Sequence, residues 1–434
     1  MFLLSLFPLV NWVEVFFPFY PFSLGDFYLL PMDFVYFLTI LYLTRCAFVR
    51  PKWFASVLKE NVFLTLFLAV VALYIVFYTP VYGQSAVGEA RKFYAVFLFP
   101  ILALVSIKRP EDLRRLILVV IFVATCVAVV ALGLAATQGS IVRVINAEGT
   151  LILALAAFSL LLHRIYRIIV ISPILDHLLL LLFSLLVVAS GQRSVWLAVG
   201  LGVMLAMWLY RDRSSVIAKS AALGVLIVAG LTVALAMFPE TGASIIDHFT
   251  GIIDPYSDDT GAWRIEGWRQ QLGALSTEGL LFGEGLGSYY RWQFDGQGKP
   301  ITASPHNAFV QLVLKFGLFG LMIYGLVAFE FFRKTLAVRK RLAAGPMKSY
   351  VEMGILNFGA AHAYILGYGF APIMLIFFAV AMSAAKLSQG DLRRLPKNQR
   401  TVPLRLAPHR ASVPRPNFGP GRYRILHRPN TCAH

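Results

Sequence analysis

Leu116–Ala136 reads LILVVIFVATCVAVVALGLAA, an unbroken apolar run without one charged side chain. A helix of that length, rising 1.5 Å per residue, matches the roughly 30 Å hydrocarbon core of a bilayer. The run does not alternate apolar and polar residues, which argues against a strand of a membrane barrel. A helix satisfies its own backbone hydrogen bonds in lipid, so a helix is the expected form. Lys108, Arg109, Arg114 and Arg115 precede it, a basic flank of the kind that stays in the cytoplasm.

Outward from this run, similar apolar stretches cover 2–20, 27–44, 61–79, 92–107, 148–162, 169–190, 194–210, 216–238, 306–330, 350–367 and 371–386. The whole chain is 58% hydrophobic and only 14% charged, with mean hydropathy +0.72, too little polar surface to coat a soluble protein of 434 residues. The reading is an all-α polytopic membrane protein of about twelve transmembrane helices. Residues 1–237 hold helices 1–9, residues 238–305 form one large outward loop with short helices, and 306–388 hold helices 10–12. Residues 389–434, rich in Arg and Pro, are expected to be a disordered basic cytoplasmic tail. The first run lacks a small-residue cleavage site and is expected to remain as the first helix.

The formal net charge of +17 is concentrated between spans and in the tail. Arg45, Arg50, Lys52 and Lys59 share one side with Lys108–Arg115, Arg164, Arg167, Arg211, Arg213, Lys219 and the cluster Arg333–Arg341. The positive-inside rule makes that side, and both termini, cytoplasmic. Basic loops of this kind sit beside anionic lipid, and no zinc-finger, RNA-recognition or basic-aromatic pattern points to nucleic acid. Cys46, Cys126 and Cys432 all lie outside the large loop and have no metal-ligand spacing.

Where the loop meets the tenth span stands Ser304-Pro305-His306-Asn307-Ala308-Phe309. Ser304 suits an N-cap and Pro305 the first helical position, which puts His306 in the first turn. The positive helix end would help keep His306 neutral, and a neutral imidazole can take a proton from a hydroxyl. An interfacial histidine packed on headgroups or tyrosines is the alternative. Arginine is disfavoured on the outward face, yet Arg91, Arg143, Arg193, Arg264, Arg269 and Arg291 lie there. Planar guanidinium groups match phosphate oxygens, whereas snorkelling to lipid phosphate is the simpler alternative. Thr260–Ser276 reads as an amphipathic helix with Arg264, Trp268, Gln271 and Leu272 near one face.

Gly283-Glu284-Gly285-Leu286-Gly287 follows no strand and precedes no Gly-Lys-Ser/Thr, so it reads as a tight turn approaching a ligand or the helices. Asp254, Asp258 and Asp259 lack a calcium-loop pattern and read as a solvated turn. Lys315, Asn357 and His362 are polar groups at membrane depth, each able to line a cavity.

The ordered set Ser190-Gly191-Gln192-Arg193, Trp263-Arg264-Ile265-Glu266-Gly267-Trp268, Leu281–Gly287 and His306–Leu312 with Phe316–Gly320 resembles the O-antigen ligase and O-antigen polymerase superfamily. The resemblance implies the type-C glycosyltransferase fold of bacterial envelope enzymes in the inner membrane, with the large loop periplasmic. It implies an undecaprenyl-diphosphate-linked glycan donor, a glycan or lipid A–core acceptor, and inverting transfer without metal or other cofactor. By matching position, His306 would be the general base, Arg193 and Arg264 would bind the donor diphosphate, and Arg143 would assist. Gln192 before Arg193, and Ser194-Val195-Trp196 after it, depart from the family's usual pattern. A transporter or flippase of lipid-linked oligosaccharide would use the same arginines without needing a base.

Overall fold

A computed structural model describes residues 3–6, 8–10, 22–24, 27–29, 31–138, 144–166, 168–169, 171–211, 250, 254, 256, 259–293, 301–302 and 304–394. The expected span 216–238, Arg143, Asp258 and the tail from 395 lie outside them, as does most of span 2–20. The chain divides into Met1–Leu395 and Pro396–His434, and the second unit lies outside the described residues.

The apolar runs fold as helices. They are α1 (Pro31–Val49), α2 (Pro51–Glu60), α3 (Val62–Tyr82), α4 (Gln84–Ser106), α5 (Pro110–Gln138), α6 (Ala147–Tyr166), α7 (Pro173–Ala189) and α8 (Arg193–Tyr210). Two short helices follow, α9 (Asp259–Gly273) and α10 (Thr277–Phe282), then α11 (Ala308–Arg341), α12 (Pro346–Ile365) and α13 (Pro372–Arg394). Proline opens α2, α7 and α12 within the first two positions, where its missing N–H costs nothing. Among the described residues, seven helices are long and apolar enough to cross a membrane, and α7 is a shorter apolar one. The protein is an all-α polytopic membrane protein. Among the described residues two minimal antiparallel strand pairs accompany the helices, β1 (Phe22–Leu24) with β2 (Phe27–Leu29) and β3 (Arg291–Trp292) with β4 (Ile301–Thr302). Residues 27–29 therefore pair as a strand, and the span expected from 27 begins as a helix at Pro31.

Helix α11 is broken once. Gly317 adopts φ 67° and ψ −170°, a region that L side chains rarely occupy. At the break, the carbonyl of Leu314 accepts from Glu284 N (2.7 Å) and that of Lys315 from Gly285 N (3.2 Å). The Gly283–Gly287 turn thus docks on the bundle by backbone contact, the second of its two expected uses. A Cβ on Gly283 would fall 2.3 Å from Lys315 C, and one on Gly317 would fall 2.1 Å from Leu281 O. Phe316 anchors the break from the other side, with its ring 4.9 Å from those of Tyr74 and Phe93.

Lys315 lies fully buried beneath this turn. Its ammonium meets Glu89 Oε2 (2.7 Å), donates to the Ser288 carbonyl (2.5 Å) and hydroxyl (2.8 Å), and faces the Tyr290 ring at 4.1 Å. Glu89 Oε2 also accepts from Gly287 N at 2.7 Å. The buried charge is thereby paired and hydrogen-bonded, the condition under which the interior tolerates it. Asn357 donates to Ser159 (3.1 Å), and His362 bonds Tyr324 (3.0 Å) and the Phe358 carbonyl (2.7 Å), so these membrane-depth groups link helices. At the other end of the bundle Glu352 accepts from Tyr166 (2.7 Å), Tyr210 (2.6 Å) and Arg339 (2.9 Å), tying α6, α8, α11 and α12 together.

Candidate functional site

His306 precedes α11 rather than lying in its first turn. The N-cap is Asn307, whose Oδ1 accepts from Phe309 N (2.9 Å) and Val310 N (3.1 Å). An asparagine cap satisfies two orphan amides at once, so the helix starts three residues later than a Ser304 cap would place it. His306 itself has φ 48°. That left-handed backbone in a non-glycine residue costs on the order of 1–3 kcal/mol and needs its surroundings to hold it. They do so from both sides: the Trp268 indole of α9 donates to the Pro305 carbonyl, and Asn307 is bound into the cap.

Two aromatic rings flank the imidazole. Trp263 lies at 6.0 Å between centroids, and Tyr368, in the turn between α12 and α13, presents an edge contact at 6.0 Å. Trp263 is itself braced by Trp292 at 4.5 Å, and Gly267 leaves room for that indole, since a Cβ there would fall 3.0 Å from it. Partial burial, then the positive charges of Arg264 and Lys92, hold the His306 pKa below its ordinary value. Burial and the two cations favour the neutral state of His306. Neutral imidazole at pH 7 is the proton-accepting form.

Arg264 lies over the Tyr368 ring at 5.1 Å, a cation–π contact. Its Nε is buried without a hydrogen-bond partner among the described residues. Arg193 opens α8 immediately after Gln192. Gln192 is gripped at both ends of its amide, accepting from the Tyr368 hydroxyl and donating to the Ile145 carbonyl, each at 3.4 Å. A Cβ on Gly367 would fall 3.0 Å from Ser194 Cβ and 3.8 Å from Arg264 Nη1, so the start of α8 and the Arg264 guanidinium flank one glycine. His306, Arg264 and the turn bearing Arg193 converge around Gly367 and Tyr368.

The other arginines expected on the outward face separate from this group. Arg91 pairs with Asp33 (3.0 Å), Arg269 makes a bidentate pair with Glu266 (2.6 and 2.9 Å), and Arg291 lies 5.6 Å from the Tyr289 ring. Arg143 lies outside the described residues, although Ile145, shortly after it, contacts Gln192. Sequence reasoning missed three contributors: Tyr368, Gly367 and Lys92. The Gly367-Tyr368-Gly369 turn between two expected spans was the available signal for the first two. Lys92 opens the expected span 92–107, and nothing in the sequence sets it apart there.

An all-α multi-pass membrane protein with a histidine and guanidinium groups gathered at one end of its bundle is the class that fold and site define. Residues 178–325 match the family model described as O-Antigen ligase, which supports the O-antigen ligase/polymerase superfamily and a glycosyltransferase of that broad type. The matched segment carries Arg193, Arg264 and His306 and covers about a third of the chain. No curated protein matches the chain.

Proposed function

We propose that the chain transfers an undecaprenyl-diphosphate-linked glycan to an acceptor hydroxyl on the periplasmic face of the bacterial inner membrane. In this reading about twelve spans cross the membrane and both termini are cytoplasmic. His306 accepts the proton of the acceptor hydroxyl as its oxygen bonds to the anomeric carbon with inversion. The bond from that carbon to the diphosphate breaks, and the departing diphosphate carries the electron pair. Arg193 and Arg264 receive the charge that accumulates there, with Arg143 as a further ligand. Fixed guanidinium groups in a poorly solvated site can stabilise that charge without a metal. General-base assistance contributes about 10²–10⁴ in rate.

The observation that carries the proposal is the shared aromatic platform: the Tyr368 ring meets both the Arg264 guanidinium and the His306 imidazole. It sets a proton acceptor beside an anion-binding group, which is what an attacking hydroxyl and a leaving diphosphate require. The test is purified full-length protein with a polyprenyl-diphosphate-linked glycan and either lipid A–core or a second lipid-linked glycan as acceptor. A new glycosidic bond supports transfer, and the acceptor that is used separates ligase from polymerase. Translocation of the donor without bond formation would instead make the protein a flippase.

A further inference from the structure

At the end of the bundle opposite His306, Trp53 of α2 is shared by two ammonium groups. Lys108 lies 4.0 Å and Lys386 5.4 Å from its ring centroid. Lys108 follows the C-terminal end of α4, whose first turns hold Glu89 beneath the glycine turn, so the two ends are separated by the length of the helix. Two cations on one indole gain from the ring but repel each other. Arg50 adds to the same field at Lys108.

The nearby acids compensate this group only in part, through Glu60. Asp112 Oδ2 accepts from the backbone N–H groups of Lys108 and Arg109, each at 3.1 Å. Glu330 pairs with Lys334 at 2.9 Å. Glu60 faces Lys386, which also donates to the Leu104 carbonyl at 3.3 Å. Lys108 and Arg50 reach the surface, and neither side chain pairs with a carboxylate among the described residues.

The surroundings are those of a membrane interface. Helix α2 has ten residues, too few to span, with Val57 buried, Trp53 and Phe54 half-buried, and Lys52 and Lys59 exposed. Immediately before it Phe48 and Val49 are 83% and 67% exposed, an apolar surface beside the cationic one. An occupant must bring both negative charge and hydrocarbon.

We propose that Lys108 and Lys386, gathered on Trp53 with Arg50 beside them, seat the headgroup phosphate of an anionic phospholipid in the leaflet opposite His306. The acyl chains lie along Phe48 and Val49. Partial burial and the like charges of Lys386 and Arg50 hold the Lys108 pKa below its ordinary value, as expected of a cation group missing its counter-ion.

The test uses full-length protein in phosphatidylcholine nanodiscs containing a minority of phosphatidylglycerol, with retained lipid measured by native mass spectrometry. Wild type retains phosphatidylglycerol preferentially. Lys108→Gln weakens retention about fivefold and Lys108→Gln/Lys386→Gln about 25-fold, the scale of one net hydrogen bond to the phosphate lost with each ammonium. Lys52→Gln/Lys59→Gln removes the same charge from exposed positions on α2 and leaves retention unchanged. Should the double glutamine variant not fold, Lys108→Gln alone and Lys108→Arg/Lys386→Arg, which keeps retention, carry the test. Unchanged retention in Lys108→Gln overturns the proposal, and so does equal loss in the Lys52/Lys59 variant, which would mean diffuse attraction. Displacement of the lipid by millimolar inorganic phosphate would make this a soluble-anion site instead.

Discussion

Arg264 rests its guanidinium 5.1 Å from the centre of the Tyr368 ring, on an element some hundred residues further along the chain. The same tyrosine meets the His306 ring at 6.0 Å and donates its hydroxyl to Gln192, next to Arg193. One side chain thus fixes the spacing between the base and the first of the cations proposed to hold the donor. Tyr368→Phe keeps the ring and loses only a long hydrogen bond, so transfer should fall less than about threefold, the lower range of a net hydrogen bond. Tyr368→Leu removes the platform and should lower kcat/KM by about 10-fold or more, given about 0.5–2 kcal/mol for the cation–π contact alone. Comparing the two variants at equal membrane content measures what the ring contributes.

Lys92 offers a test in pH rather than in magnitude. It is exposed, and its charge helps keep the His306 pKa low. Transfer requires neutral imidazole, so activity should be full at neutral pH and fall as pH drops through a value below 6.5, the ordinary histidine pKa. Lys92→Gln removes one positive charge, raises that pKa and moves the acid limb to higher pH, whereas Lys92→Arg leaves it in place. The pH profiles of kcat/KM for the three proteins decide the point.

The break in α11 gives a stability prediction. A Cβ at Gly317 would meet the Leu281 carbonyl at 2.1 Å, from a backbone with φ 67°. Gly317→Ala should cost about 2 kcal/mol or more, combining a steric clash with a strained backbone. Gly325, on the same helix, has nothing within 4 Å of a Cβ. Gly325→Ala should be neutral or slightly stabilising. Thermal unfolding in detergent, or protease resistance of the 283–293 turn, separates the two.

The membrane helices were legible because an apolar run needs no long-range information to become a helix in lipid. The expected spans at 61–79, 148–162 and 194–210 coincide with α3, α6 and α8 within a few residues, while those at 116–136 and 371–386 fall inside the longer α5 and α13 but for one residue. Local competition was harder to read. Ser304 and Asn307 are both good caps, and the asparagine took the role, which moved His306 out of the helix and gave it a left-handed backbone. The sorting of the arginines was half visible: Glu266 stands three residues before Arg269, a helical pair, but Asp33 is far from Arg91 in sequence. Tyr368 and the Gly283–Gly317 approach depend on packing between distant segments, which no spacing encodes.

Arg193→Lys tests whether a planar fork or merely a charge is needed at the start of α8. Lysine keeps the charge but presents a single ammonium in place of a bidentate donor. Transfer should fall about 10-fold or more, with the loss in kcat/KM for the lipid-linked donor rather than for the acceptor, on the scale of a charge-assisted bond. Steady-state kinetics with each substrate varied in turn reads this directly.

The central claim is that His306 takes a proton as the glycosidic bond forms. Single-turnover transfer by the purified full-length protein, wild type against His306→Ala, measures it at saturating donor and acceptor. Product formation slowed by about 10²-fold or more, with donor binding and membrane insertion unchanged, is the predicted result. Transfer by His306→Ala at the wild-type rate would contradict the account.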